Sequence, residues 1–332
     1  MKKRVVTLGE ILMRLTTATN ERFEQSNTYK VYFGGTEANV AISLAQWNVN
    51  ATHITSFPNN SIGKTAYNYL KKSGVNTNNI KFNDGRMGLY FLENGVMQRS
   101  SKIIYDRFDS SFSKLDSTVF NWDEILKDVD WFHWTGITPA ISESAAKLCL
   151  DALTSAQKIG ITVSGDINYR RNLWQYGKSP LEIMPELISK TNVIVGGLTD
   201  FENCLDISAN NFEEGCKKIQ QKYTTVRTVS NTQREIISAS QNKLSAILWK
   251  NHKYNISKTY TMENIVDRIG GGDAFMAGLI YGLMHKEEEE DALEFAVASA
   301  VLKHGILGDA NLVSVEEVEQ LVQGDNIGRL LR

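Results

Sequence analysis

Two hydrophobic patterns alternate along the chain. RVVTLG, THITSF, DWFHWTG, ITVSGDI, NVIVG and TVRTVS are short runs rich in β-branched and aromatic residues, and they read as strands. TEANVAISLAQWN, GKTAYNYLKKSG, SESAAKLCLDALTSAQKIG and DALEFAVASAVLKHG repeat their apolar positions with helical period. Strands alternating with helices predict an α/β fold, with a mainly parallel sheet covered by helices. Two stretches break the alternation: ILMRLTT through TYKVYF, and MGLYFLENGVMQRSSKIIYDRF. They read as extra strands inserted at about 11–33 and 87–108, and predict a small β-sheet lid over the strand ends. No fixed-period repeat is present. The one biased tract, KEEEED from Lys286 to Asp291, is expected to be a solvated turn between two helices.

A chain of 332 residues with 42% hydrophobic content can bury a large core, as one large domain or as a domain with an appendage. The formal net charge of −2 offers no basic field, which argues against nucleic acid and anionic membrane as main partners and leaves small molecules. The apolar stretch after the three basic residues near the start ends at Glu10, too short for a secretory signal, so a cytoplasmic location is expected. Cys149, Cys204 and Cys216 are widely spaced and odd in number, which predicts reduced structural thiols. His53, His133, His252, His285 and His304 occur singly, without the spacing of a zinc site, and read as core or surface residues.

The densest chemical signal is VDRIGGGDAF. Gly270, Gly271 and Gly272 give the backbone freedom, and Asp273 then opens an apolar helical run. Such a corner points backbone N–H groups and the positive end of a helix dipole at one spot, where an anion is stabilised. Helix capping alone would require the aspartate but not three glycines before it. IGKTA at Ile62 to Ala66 is not a phosphate loop, because Pro58 stands where that loop needs glycine. The glycines also fail the dinucleotide pattern, since Phe275 replaces its third glycine. A second glycine site, FGGTEANVA, places Gly34 and Gly35 before a helix whose Asn39 could hydrogen-bond hydroxyl groups.

Together the two glycine sites resemble the signatures of the ribokinase/PfkB-type carbohydrate kinases, and the similarity spans nearly the whole chain. GE at Gly9–Glu10, GLYFLENG, YDR at Tyr105 to Arg107, DINYRRNLW, DRIGGGDAFMAGLIYG and KHGILGD resemble the sugar-acid branch that acts on 2-keto-3-deoxygluconate. This resemblance implies one ribokinase-like (Rossmann-like) α/β domain over 1–332 with a β-sheet lid, ATP with Mg2+ as donor, and a sugar acid as acceptor. It implies Asp273 as catalytic base, and Gly270 to Gly272, Asn168 and the segment around Ser230 on the nucleotide. It further implies Gly34, Gly35, Asn39, Tyr90, Tyr105, Arg107, Arg170 and Asp309 on the acceptor. Two guanidinium groups suit a substrate carboxylate, which they can hold by paired hydrogen bonds. A dimer through the lid, or a higher homo-oligomer, is also expected, since the inserted strands would otherwise expose their edges.

The chain departs from the family pattern in several places. Arg268 and Ile269 stand where small residues are usual, and Arg268 is expected either near the phosphates or paired with Glu263 or Glu235. Gly197 and Asp200 replace an asparagine and a glutamate that organise magnesium and phosphates, and the metal ligands stay unassigned. VSNTQREIISASQNKL replaces the usual glycine-rich nucleotide turn. Three readings therefore follow: a 2-keto-3-deoxygluconate kinase, a kinase for a neutral sugar such as fructose or ribose, or a sugar-acid binding protein without turnover.

Overall fold

A computed structural model describes residues 2–324. Met1 and residues 325–332, included in the expected span 1–332, lie outside the described residues. The strands in chain order are β1 (Arg4–Leu8), β2 (Leu12–Thr17), β3 (Tyr29–Gly34), β4 (Asn50–Ile54), β5 (Ser56–Pro58), β6 (Lys81–Asn83), β7 (Gly88–Glu93) and β8 (Lys102–Asp106). They continue with β9 (Trp131–Thr135), β10 (Thr162–Asp166), β11 (Val193–Val195), β12 (Thr228–Ile236), β13 (Asn242–Lys250), β14 (Lys253–Ile256) and β15 (Tyr260–Met262). The principal sheet has the order β14-β13-β12-β11-β10-β9-β1-β4, with β15 also paired to β13. From β4 to β12 the pairs are parallel, and β13 to β15 extend the edge antiparallel.

Burial on both faces explains the apolar runs. Every residue of WFHWT in β9 and VIV in β11 is buried, as parallel strands between helical layers require. The polar residues among them pair with each other. Thr7 Oγ1 meets His53 Nδ1 at 2.7 Å, and Ser164 Oγ lies 3.0 Å from His133 Nδ1 and accepts from Trp131 Nε1 at 2.7 Å. Burial pushes both imidazoles down to about 3, so they stay neutral core residues as expected. All three cysteines are buried and free.

The two inserted segments form one separate sheet of order β3-β2-β7-β8. Its central pair, β2 and β7, is parallel, and each is flanked by an antiparallel partner. Alternation sends Arg14, Tyr90 and Tyr105 to one face, and places Val31, Leu15, Phe91 and Ile104 in one cross-strand row on the other. Lys286 to Glu288 form the expected turn between two helices, but the rest of the acidic tract does not. Glu289, Glu290 and Asp291 form the first turn of a helix, Glu289–Lys303, where negative charge complements the unpaired N–H groups.

The helices that matter most for the site are α1 (Thr36–Gln46), α2 (Leu198–Leu205), α3 (Gly271–His285) and α4 (Glu289–Lys303). Helix α3 packs on α4 through Gly278 and Gly282, and a β-carbon on Gly282 would sit 2.6 Å from Ala292 Cα. Gly282→Ala is therefore expected to destabilise the fold by about 1–3 kcal/mol through overpacking, read as a lowered urea midpoint with unchanged slope.

Candidate active site

The glycine corner forms where the chain leaves β15 and enters α3. Gly270 has φ +83°, in the left-handed region, and a β-carbon there would collide with the Asp309 carbonyl. A β-carbon on Gly271 would lie 2.5 Å from His304 Cε1, whereas Gly272 has no neighbour within 4 Å on that side. The first backbone bond of α3 runs from the Ala274 N–H to the Gly270 carbonyl at 2.9 Å. Gly271, Gly272 and Asp273 thus have N–H groups with no partner inside the helix. The third glycine faces open space beside three free donors.

Asp273 is half-buried and accepts a 2.6 Å hydrogen bond from Asn39 Nδ2 on α1. Burial pushes its carboxyl up to about 7, the Asn39 bond opposes the rise, and the negative charges of Asp166, Asp309 and Glu37 add to it. Asp166, at the end of β10, is also pushed up to about 7 by burial and by Asp200 nearby, with Arg170 opposing.

A cavity of about 100 Å³ opens beside Asp273. Of the expected acceptor and nucleotide residues, Gly34, Gly35, Asn39, Tyr90, Tyr105, Arg107, Arg170, Asp309 and Asn168 all line it. The cavity shares Tyr105, Arg107, Ile137 and Arg170 with a neighbouring cleft of about 410 Å³. Its walls come from both sheets. Arg107, just after β8, is buried and gives two hydrogen bonds to Glu10 Oε2, from Nε at 2.9 Å and Nη2 at 2.6 Å. Arg170, beyond the end of β10, is exposed; among the described residues its guanidinium donates only to the Tyr169 carbonyl and has no ion pair. The rings of Tyr90 and Tyr105 stand 5.7 Å apart.

A buried charge network closes the cavity. Arg14 donates from Nη2 to Asp267 at 2.7 Å and from Nη1 to Asp309 at 3.0 Å, and all three side chains are at most 3% exposed. Asp309 also accepts from the Tyr90 hydroxyl, and Asp267 from the Gly308 and Ile269 N–H groups. Asp309, expected on the acceptor, is therefore already bonded on both oxygens. The sequence assigns no role to Glu10, Arg14, Asp267 or Asp166, although Glu10, Asp267 and Asp166 lie within the motifs that carry the resemblance. An arginine inside the alternating strand LMRLTT was the one visible sign of Arg14.

Ser230 is fully buried, and its hydroxyl donates to the Ile247 carbonyl at 2.7 Å, so its side chain does not face the site. Arg268 pairs with neither Glu263 nor Glu235. It donates to the carbonyls of Ser238 and Ala239, the latter at 2.9 Å, and to Asn242 Oδ1 at 3.2 Å. Asp200 spends both oxygens on backbone, accepting from Gly197 N–H at 2.8 Å and Tyr169 N–H at 3.0 Å, which caps α2. A β-carbon on Gly197 would lie 3.2 Å from Asn231 Nδ2, so the Asn231 amide borders the space left by the missing side chain. The turn between β12 and β13 is tied in two further directions: Ala239 N–H donates to the Met97 carbonyl and Ile265 N–H to the Ser240 carbonyl, both at 3.0 Å.

A mainly parallel sheet, a separate small sheet, and a carboxylate at the start of a helix behind three glycines fit the resemblance to the ribokinase-like carbohydrate kinases. The comparisons agree. The pattern of the pfkB family carbohydrate kinases matches residues 2–313, and the chain belongs to that family. It is similar to the 2-dehydro-3-deoxygalactonokinase of Haloferax volcanii, 27% identical over 329 residues and 99% of each chain. The crystal structure of 2-dehydro-3-deoxygluconokinase from Thermotoga maritima superposes with a TM-score of 0.92, at 39% identity, over 97% of this chain and 100% of that one. A candidate Ribokinase II from E. coli in complex with ATP and Mg2+ shares the fold, with a TM-score of 0.81 and 21% identity over 98% and 100% of the two chains. No helix among the described residues is long and apolar enough to cross a membrane.

The raised carboxyl of Asp273 links folding to pH. Below about 4 it is protonated in both folded and unfolded chains. Between about 4 and 7 the folded state holds a proton that the unfolded chain releases, so stability falls as pH rises through that window. Asp273→Asn should therefore gain melting temperature relative to the wild type at pH 8 more than at pH 5. Equal differences at both pH values would contradict the assignment.

Proposed function

We propose that this carbohydrate kinase transfers the γ-phosphoryl group of ATP to a hydroxyl of 2-keto-3-deoxygluconate. The observation that carries this reading is one cavity lined by Asp273, Arg107 and Arg170 together, with the glycine corner and its unpartnered N–H groups directly before Asp273 in the chain. Asp273 accepts the proton of the acceptor hydroxyl, and the N–H groups of the corner stabilise the charge that develops on the transferring group. Arg170 holds the acceptor carboxylate, joined by the free Nη1 of Arg107. Tyr90 and Tyr105 flank the carbon chain, and the Oδ1 atoms of Asn39 and Asn168, buried and without partners, remain open to a ligand.

The donor set suits a Mg2+ that arrives on the nucleotide. Such an ion keeps most ligands from phosphate and water and needs one or two carboxylates. Among the described residues no group of three or more His, Cys, Asp or Glu could hold a metal alone. Asp166 would hold it, since a cation there relieves the repulsion from Asp200, and the ion would neutralise phosphate charge. Asn231 would supply an amide in the space beside Gly197, which favours turnover over mere binding.

One observation favours a second reading, a kinase for a neutral sugar: Glu10 already compensates Arg107, leaving Arg170 as the single unpaired guanidinium of the cavity. An ADP-release assay with ATP, Mg2+ and 2-keto-3-deoxygluconate, beside fructose, ribose and gluconate, separates the readings. On the sugar-acid reading Arg170→Gln raises KM for the keto acid by the loss of about 1.5–3 kcal/mol and leaves fructose unaffected. Asp273→Asn should lower kcat by about 10²–10⁴, and wild-type kcat/KM should climb with pH through about 7 as that carboxyl ionises.

The reading extends to assembly. The chain forms one domain in the cytoplasm, with the small sheet as a lid that closes over the acceptor. Two lids pair through the row that includes Val31 and Ile104, exposed by 53% and 54%. A monomeric mass by light scattering at micromolar concentration would refute the pairing.

A further inference from the structure

Glu10 is the one buried acid of the cavity wall with an oxygen left over. It sits two residues beyond the end of β1, and its side chain is 2% exposed. Oε2 takes both hydrogen bonds from Arg107, whereas Oε1 is buried and has no hydrogen-bond partner. A buried carboxylate oxygen without a donor is costly, and native structures keep one mainly where a ligand or water completes it. The surroundings leave that oxygen open. Gly88 stands on β7 opposite Leu12, and a β-carbon at Gly88 would come within 2.8 Å of Oε1, so any larger residue would cover it.

The other acids of the wall are accounted for. Asp309 is bonded on both oxygens, to Arg14 and Tyr90, and Asp273, bonded to Asn39 through Oδ2, is the base of the reading above. An ionised oxygen accepts hydrogen bonds only, so its partner must be a donor: a hydroxyl suits it, while a carboxylate or keto oxygen would be repelled.

We propose that Glu10 Oε1 accepts a hydrogen bond from an acceptor hydroxyl other than the one phosphorylated, making Glu10 a specificity-determining residue of the sugar site. Arg107 then works as part of a Glu10–Arg107 unit that reads hydroxyl and carboxylate side by side. The inference rests on the kinase reading above but not on which sugar is the acceptor.

The test compares wild type with Glu10→Gln on 2-keto-3-deoxygluconate and on fructose, with their monodeoxy analogues as further acceptors. For whichever parent sugar the wild type uses, the substitution should raise KM at least tenfold and leave kcat and the KM for ATP within about threefold. Wild type should discriminate at least tenfold against one deoxy analogue, and Glu10→Gln should lose that discrimination. If Glu10 served only to position Arg107, every analogue would weaken by the same factor, and that result overturns the proposal. Wild-type turnover of fructose alone would defeat the sugar-acid reading while leaving this comparison intact. Should the wild type turn over neither sugar, sugar-induced shifts in melting temperature give the same readout, and a shift equal in variant and wild type overturns the proposal. Should Glu10→Gln fail to fold, Gly88→Ala, whose β-carbon would crowd Oε1 at 2.8 Å, should raise KM for the parent sugar selectively. An unchanged KM there counts against the proposal.

Discussion

The buried pairing of Arg14 with Asp267 and Asp309 is the constraint on which the site depends. Arg14 belongs to the small sheet, Asp267 to the approach to the glycine corner, and Asp309 to the loop after α4, so three separately folded pieces meet at one guanidinium. Removing one partner of such a network leaves an uncompensated buried charge, which is strongly destabilising. The network also explains why Gly270 must be glycine. With Asp309 held by Arg14, its carbonyl is pressed against the corner where a β-carbon would stand.

The same crowding of acids makes the corner costly and useful. Asp273 shares its surroundings with Asp166, Asp309 and Glu37, and only Asn39 directly stabilises its charge. A carboxylate stabilised more fully would be a weaker base. The protein gives up stability near neutral pH and gains a group able to take a proton there. Four bonds hold Glu37 in place, from Thr36, Thr138 and both the hydroxyl and N–H of Thr135, which anchors the start of α1 and with it Asn39.

Much of this was legible in the sequence because local rules impose it. Three glycines before an aspartate report a tight corner wherever they occur, and the interruption of the strand–helix alternation marked both halves of the small sheet. What was not legible depends on distance. Arg14 and Asp309 lie 295 residues apart in the chain, and nothing near either announces the other. The pairing of Glu10 with Arg107 across 97 residues, which changes what that arginine has left for a ligand, was equally hidden. Ser230 shows a different limit. On a strand, a step of one residue turns the side chain to the opposite face, so the neighbouring Asn231 borders the space beside Gly197 while Ser230 looks into the core.

The turn between β12 and β13 has a mechanical meaning. Arg268 grips it through two carbonyls, Ile265 bonds to it from the approach to the corner, and Met97 reaches it from the loop joining β7 to β8. The hairpin thus acts as a tie rod between the small sheet and the start of α3. Swinging that sheet outward must either break the bond between Met97 and Ala239 or drag the hairpin with it, and in the second case the pull arrives at Arg268, two residues before Gly270. Access to the cavity and the shape of the glycine corner would then change as one movement.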